Sequence, residues 1–198
     1  MAQISTADVT PLETVTDRYV IDGRSSRFTV RAFAAGMLAA MGHNPTIGIR
    51  DLIGEITFNP DKVGAGSCKI VIKSTSLSVQ DDISAKDLRE MERLMNQEVL
   101  ETTKFPEILY EASDISVTKM ADTLYSALLK GNLTLRGVSR SQPINVRVAL
   151  LGSMLRASGD FPLNQTDYGI KLVSVAGGAL KLKDELKFSF EIVARRQE

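Results

Sequence analysis

The chain has few of the residues that mark disulfide-bonded, zinc-binding or membrane-spanning proteins. Its 198 residues include one cysteine, Cys68, and one histidine, His43. A single cysteine excludes an intrachain disulfide and a cysteine-rich zinc site, so we interpret Cys68 as a small buried apolar residue. No stretch reaches the roughly 18 consecutive apolar residues of a membrane helix, and residues 1–17 lack the basic start and apolar run of a signal peptide. These absences predict a cytoplasmic protein without stable membrane insertion.

An excess of charge of one sign is also missing. The chain carries 24 basic and 24 acidic side chains, which argues against nucleic acid as a partner because phosphate binding draws on clustered Lys and Arg. The sequence contains neither G-x-S-x-G nor H-E-x-x-H, the spacings typical of a serine nucleophile and a zinc protease. Asp81, Asp82 and Asp87 lack the alternate spacing and glycine of a calcium loop. We therefore predict a protein that is not an enzyme and has no metal site and no cofactor.

What the chain does have is an apolar content of 43%, enough for a full core, and a repeated alternation of apolar and polar residues. Residues 1–17 show no such pattern and predict a flexible tail, and residues 18–198 then form one domain. Period-two alternation is typical of half-buried antiparallel strands, and at least seven can be counted. Their predicted inward residues include Phe28, Val30 and Ala32; Ile56 and Phe58; Cys68, Ile70 and Ile72; Leu129, Gly131, Leu133 and Leu135; Ile144, Val146, Val148 and Leu150; and Leu186, Phe188, Phe190 and Ile192.

One segment has helical spacing instead. Ser84 with Asp87 resembles an N-terminal capping box, and Leu88, Met91, Leu94 and Met95 follow on one face. We expect this helix to end before Pro106, because the residue before a proline avoids helical geometry.

Many strands with polar outer faces and one short helix predict either a barrel or a sandwich. A closed barrel of about eight strands can hold one small ligand, whereas a sandwich packs its two inner faces together. Small inward residues such as Ala32, Ala127 and Gly131 favour a barrel with a cavity, although glycine in a strand also marks a bend.

The ordered landmarks of the chain resemble those of the YceI-like family. The most specific is Gly131-Asn132-Leu133-Thr134-Leu135-Arg136-Gly137-Val138, which is close to the family's G-x-L-T-[IL]-x-G-V hairpin. Further similar segments, in the family's order, are Tyr19-Val20-Ile21-Asp22, Arg27-Phe28-Thr29-Val30, Gly42-His43, Gly54-Glu55-Ile56-Thr57-Phe58, Ser74–Ser78, Lys86-Asp87, Lys104-Phe105-Pro106 and Asp167-Tyr168-Gly169-Ile170. The resemblance covers about residues 18–196.

The resemblance implies an all-β fold, an extended lipocalin-like antiparallel barrel of about eight strands with one short α-helix, and often a homodimer. It also implies a long apolar channel that binds a polyisoprenoid or an isoprenoid quinone. The chain departs from the family in lacking the secretion signal that many periplasmic or secreted relatives carry. It also has Ser25-Ser26 where the family often has His-Ser, and Gly42-His43-Asn44-Pro45 suggests a distinct branch.

Two groups of residues are candidates for the mouth of such a cavity. His43 lies in a turn signal and either bonds a ligand head group or ties down its own loop. Met37, Met41, Met91 and Met95 either form a deformable gate or are ordinary core. The predicted ligand-binding residues are Phe28, Val30, Phe33, Met37, His43, Phe58, Ile70, Met91, Met95, Leu133, Leu135 and Phe188.

The sequence supports one leading function and two alternatives. The first is a lipid-binding module that stores, shields or transports an isoprenoid chain in its barrel. The second is an enzyme acting on an apolar substrate, with His43 as acid or base assisted by Asp167 and Tyr168. The third is a protein-interaction module with a filled barrel, in which residues 37–41 form an exposed surface.

Overall fold

The computed structural model describes residues 17–36, 44–58, 66–175 and 180–197, and these are mainly β-strand. The strands are β1 (Asp17–Ile21), β2 (Arg27–Arg31), β3 (Ala34–Ala35), β4 (Thr46–Ile49), β5 (Leu52–Phe58), β6 (Ser67–Lys73), β7 (Leu77–Val79), β8 (Glu107–Lys119), β9 (Leu124–Leu135), β10 (Val138–Leu151), β11 (Met154–Asn164), β12 (Ser174–Val175), β13 (Leu180–Leu182) and β14 (Glu185–Arg196). The helix α1 (Ala85–Leu94) continues into a π-helical turn, Met95–Val99. Short 3-10 turns span Ser74–Ser76 and Gln165–Tyr168.

Eight of these strands close into an antiparallel barrel in the order β1-β5-β6-β8-β9-β10-β11-β14, and β14 pairs back onto β1. The closure is visible at Val20, which pairs with Glu55 of β5 on one side and with Arg195 of β14 on the other. This ring confirms the predicted barrel and excludes the sandwich. A closed ring leaves the inward side chains around a common interior, where space for a ligand can exist.

Three positions in the barrel wall are built from two strand segments in line. β2 extends the line of β1 along β14, β4 extends β5, and β7 extends β6, with breaks at residues 22–26, 50–51 and 74–76. The first break is held by its own turn and by the adjacent strand: Asp22 N donates to Val193 O at 2.8 Å, and Val193 N donates to Ser26 Oγ at 3.0 Å. At these three positions the barrel wall is therefore longer than either strand segment alone.

The helix lies beside the last of these extensions. β7 pairs with β4 and with no other described strand, whereas β8 begins at Glu107, opposite Lys73 of β6. The wall thus parts between β7 and β8, and α1 contacts β7 there, with Val79 N donating to Glu92 Oε1 at 3.3 Å.

The helix begins where the sequence predicts. Ser84 Oγ accepts a hydrogen bond from Asp87 N at 3.1 Å and donates to the Asp87 carboxylate at 2.6 Å. The helical segment ends at Val99, before Pro106, and the bond from Leu100 N to Met95 O widens its last turn. Within the described ranges, the helices are too short or too polar to cross a membrane.

The predicted alternation is confirmed along the long strands. Val146 and Val148 of β10 are buried, and Asn145 and Arg147 between them are exposed. On β8 a bulge between Ala112 and Asp114 shifts the alternation by one residue, so that Ile115 is buried on the inner face. The apolar side of the wall forms one continuous core cluster around the interior.

Candidate functional site: an apolar cavity in the barrel

The interior of the barrel contains a cavity of about 380 Å³. Inward positions of β14 from Leu186 to Ile192 line it, and six residues of strand span about 20 Å. Strands β2, β4 to β11 and β14 supply its side walls, while α1 and the small β12-β13-β3 sheet lie at one end. The volume falls within the range of small-molecule sites.

The wall of this cavity is almost entirely hydrocarbon. Among its described lining residues the polar side chains are Thr57, Tyr110, Gln165 and Lys181, with the thiol of Cys68, and Lys181 is the only charged one. Lys181 is exposed and follows the start of β13, at the end of the cavity covered by the small sheet. A wall of this composition favours apolar ligands, and it offers charge at one end only.

Two aromatic pairs shape the middle of the cavity. Phe28 and Phe190 are opposite each other on β2 and β14 and stack at 5.6 Å between ring centroids. Phe161 and Phe188, opposite each other on β11 and β14, stack at 4.9 Å. Stacked cross-strand pairs form flat apolar surfaces and hold their own rings in place.

Two titratable residues in the wall are neutral at physiological pH. Burial raises the pKa of the Cys68 thiol to about 12. The pKa of Tyr110 is also raised, first by burial and then by the nearby Cys68, and its hydroxyl donates to the Gln142 carbonyl at 3.1 Å. Neither group offers a charge or a reactive thiolate to a molecule in the cavity.

The structure places most of the predicted ligand-binding residues around this cavity. Phe33 is half-buried, does not line it, and lies beneath the Arg31 guanidinium at 5.9 Å. Met37 and His43, like Met41, lie outside the described residues. The predicted residues that do line the cavity are Phe28, Val30, Phe58, Ile70, Met91, Met95, Leu133, Leu135 and Phe188. Their contact with a ligand stays a prediction.

The structure also shows which of the predicted methionines and small strand residues line the cavity. Met91 and Met95 face the cavity, and the wide π-helical turn keeps Val99 and Leu100 on the same side as Met95. Ala32 and Ala127 line the cavity as expected from their size. Gly131 does not, because the ring of Tyr110 covers it: a Cβ at Gly131 would lie 2.6 Å from Tyr110 Cζ.

Several cavity residues were not predicted from the sequence. Ile115 was hidden by the bulge on β8, and Ile170, Val173 and Lys181 come from the irregular chain between β11 and β14. Gln165 could have been found, because the alternation of Phe161 and Leu163 on β11 continues to it.

Of the residues proposed for an enzyme, the two that the structure describes do not line the cavity, and His43 lies outside the described residues. Asp167 is exposed, Tyr168 is buried, and neither lines it. Asp81, considered and rejected as part of a cation site, accepts a hydrogen bond from Thr46 N at 2.8 Å. In the part of the chain that the structure describes, no three His, Cys, Asp or Glu residues form a group that could hold a metal ion.

Three of the sequence motifs behind the resemblance meet at the helix end of the barrel. Arg136, in the hairpin between β9 and β10, donates to Gly169 O at 2.8 Å and pairs with Glu101. Gly137 lies against Phe105, to which a Cβ would be 2.9 Å away. These motifs therefore join three loops at one end of the barrel and are structural.

Comparisons with known proteins agree with this architecture. The model of the YceI-like domain matches residues 19–194. Among solved structures, Burkholderia cenocepacia BcnA has a TM-score of 0.66 at 16% identity, covering 87% of this chain and 98% of its own. A polyisoprenoid-binding domain from Saccharophagus degradans, implicated in plant cell wall breakdown, has a TM-score of 0.64 at 14% identity, covering 90% and 98%. The Campylobacter jejuni YCEI protein has a TM-score of 0.61 at 15% identity, covering 79% and 88%.

At these identities the solved structures show a shared fold. No protein with a curated function is similar enough in sequence to match.

Proposed function

We propose, because this chain belongs to the YceI-like family, that its barrel binds one long apolar molecule, a polyisoprenoid or an isoprenoid lipid. Binding would serve to store, shield or transport that molecule. The observation that carries the proposal is the elongated cavity, whose described wall has a single charged side chain, Lys181, at one end.

The physical basis is the transfer of hydrocarbon from water into this wall. Each buried CH₂ contributes about 0.8 kcal/mol, so ten enclosed methylenes contribute roughly 8 kcal/mol before the entropy of association is subtracted. Affinity can therefore come from the tail alone. The Saccharophagus degradans domain that shares the fold is a polyisoprenoid-binding domain, which supports the same ligand class here.

We propose binding without catalysis. In the described part of the cavity wall the charged side chain is Lys181, exposed at one end, and the titratable groups of the interior, Cys68 and Tyr110, are both held neutral by burial. The polar residues considered for an enzyme, Asp167 and Tyr168, lie outside the cavity.

The proposal is tested by placing a larger side chain in the cavity wall and measuring the fraction of protein that carries a bound apolar molecule. Ala127 of β9 is buried and lines the cavity, and its neighbour Ser126 is exposed on the outer face. Ala127→Phe should raise the dissociation constant of the apolar molecule at least about tenfold, equivalent to ~1.4 kcal/mol of binding, and so lower the fraction of protein that carries it. Native mass spectrometry of protein from expressing cells, followed by solvent extraction, measures that fraction and identifies the cargo.

Ser126→Phe is the matched control, because it adds the same ring to the same strand outside the barrel. It should retain the cargo of the unmodified protein. Circular dichroism checks that both variants fold, since overpacking costs about 1–3 kcal/mol. Unmodified protein that is repeatedly empty, or an Ala127→Phe variant as loaded as the control, would contradict the proposal.

A further inference from the structure

The cavity contains one buried polar side chain with an unused hydrogen-bonding atom. Gln165 follows β11, lines the cavity and is 2% exposed. Its Nε2 donates to Lys183 O at 2.9 Å and to Asp184 O at 3.4 Å. Its Oε1 accepts no hydrogen bond from any side chain or backbone group in the described ranges.

The orientation of this amide is set by its neighbours. Both oxygens beside Nε2 are backbone carbonyls, which can only accept hydrogen bonds. Turning the amide over would place Oε1 against two acceptors and lose both bonds. Backbone bonds also hold the residue itself, since Gln165 N donates to Asp184 O at 3.1 Å and Ile170 N donates to Gln165 O at 3.2 Å. Oε1 is therefore a fixed acceptor.

An acceptor in an apolar cavity is costly unless something donates to it. An acceptor that stays unpaired there is unfavourable, and a hydrocarbon tail cannot donate a hydrogen bond to it. A ligand group with an O–H or N–H can. The same oxygen disfavours groups that carry only acceptors, such as a quinone ring or a carboxylate, because two acceptors repel.

The position of Gln165 also gives the ligand a direction. The residue lies where β11 ends, near the start of β14, at the end of the barrel that carries the helix and the small sheet. At the opposite end of the cavity Phe58 packs edge-on against Tyr125 at 5.6 Å, and the polar lining residue there, Thr57, is already hydrogen-bonded to Ser67. A tail directed toward Phe58 leaves its head group beside Gln165.

We infer that Gln165 Oε1 recognises the head group of the bound lipid, and that this head group is a neutral hydrogen-bond donor such as a prenol hydroxyl. This inference rests on the proposed binding of an apolar molecule in the cavity and names its chemical class. The head group lies at the helix end, with the tail extending along the barrel.

The experiment compares two probes that share a tail, geranylgeraniol and its methyl ether, on protein stripped of cargo by solvent extraction and refolded. The alcohol can donate a hydrogen bond and the ether cannot. Calorimetric titration of the unmodified protein should show the alcohol binding about 3- to 10-fold more tightly, the value of one hydrogen bond. In Gln165→Met the two probes should bind equally.

The ratio of the two affinities within each protein is the readout, so a general loss of stability in Gln165→Met does not affect it. Gln142→Met is the matched control, because Gln142 does not line the cavity, and it should retain the preference. If neither probe binds the unmodified protein, the proposed function fails. If both bind it equally, or if Gln165→Met keeps the preference for the alcohol, this inference fails while the proposed function stands.

Discussion

Cys68 shows how the cavity wall controls the chemistry of a single side chain. The thiol points inward from β6, and the loss of hydration raises its pKa from 9.0 to about 12. The folded protein thus holds the proton of Cys68 over a pH range in which an exposed cysteine loses it. The unfolded chain has no such protection.

This difference predicts a pH-dependent stability with a definite sign. Above pH 9 the unfolded chain loses the Cys68 proton and the folded chain keeps it, so the free energy of unfolding falls as pH rises toward 12. One group contributes a slope of about 1.4 kcal/mol per pH unit. Urea unfolding at several values between pH 9.5 and 11 should show a shallower slope for Cys68→Ala by about that amount.

Burial is the larger cause of the raised pKa of Tyr110 and is retained in Cys68→Ala, so most of the effect of Tyr110 cancels in the comparison. The packing lost in Cys68→Ala lowers stability at every pH and leaves the slope unaffected. If the free energy of unfolding fell with pH at the same slope in both proteins, Cys68 would not be buried away from water.

At the scale of elements, the packing of β8 against β9 depends on a glycine that leaves room for an aromatic ring. Tyr110 of β8 lies over Gly131 of β9, and its hydroxyl reaches across β9 to the Gln142 carbonyl of β10. A Cβ on Gly131 would lie 2.6 Å from the ring and 2.6 Å from Glu111 O. The three strands are thus fastened together by one aromatic residue that requires glycine opposite.

Gly131→Ala should therefore destabilise the barrel beyond the usual effect of a small substitution. Displacing the ring costs about 1–3 kcal/mol by overpacking, and losing its hydrogen bond costs about 1 kcal/mol more. Urea unfolding measures the loss. The same substitution in a Tyr110→Leu background should cost less, because the ring is gone and only the backbone contact with Glu111 persists. Equal costs in the two backgrounds would remove Tyr110 from the explanation.

At the scale of the whole molecule, the barrel has a closed wall around a space that its own side chains do not fill. The ring closes where three residues of β1 pair with β14, between segments almost the length of the chain apart. An unfilled apolar interior forgoes packing contacts that a ligand can supply. Ligand occupancy should therefore contribute directly to the stability of the fold.

Removal of cargo is expected to lower the melting temperature. A ligand at 100 times its dissociation constant stabilises the folded state by about 2.7 kcal/mol, which for a domain of this size corresponds to roughly 5–10 °C. Scanning calorimetry before extraction, after extraction and after reloading with geranylgeraniol measures the change. Ala127→Phe, whose cavity is occupied by its own side chain, should not respond to the alcohol. A melting temperature independent of cargo would argue for a barrel that functions empty.

Location in the cytoplasm and assembly as a homodimer stay predictions. The flexible tail over residues 1–17 and the single domain over residues 18–198 also stay predictions. Strand β1 begins at Asp17, the last residue assigned to the tail.

The sequence alone predicted the strands, the helix and much of the cavity wall, because those features depend on neighbouring residues. Alternation along β10 and β14 places their side chains on two faces whatever the strand pairs with. Ser84 and Asp87 cap α1 through bonds three residues apart. Nine of the twelve predicted site residues line the cavity for the same local reason.

Only the tertiary structure decided how the ring closes and what the cavity offers a ligand. The pairing of β1 with β14, the bulge that turns Ile115 inward and the cover that Tyr110 places over Gly131 all join residues on different strands. The free oxygen of Gln165 depends on carbonyls 18 and 19 residues away. Local periodicity carries no information about such partners, because they become neighbours only when the barrel forms.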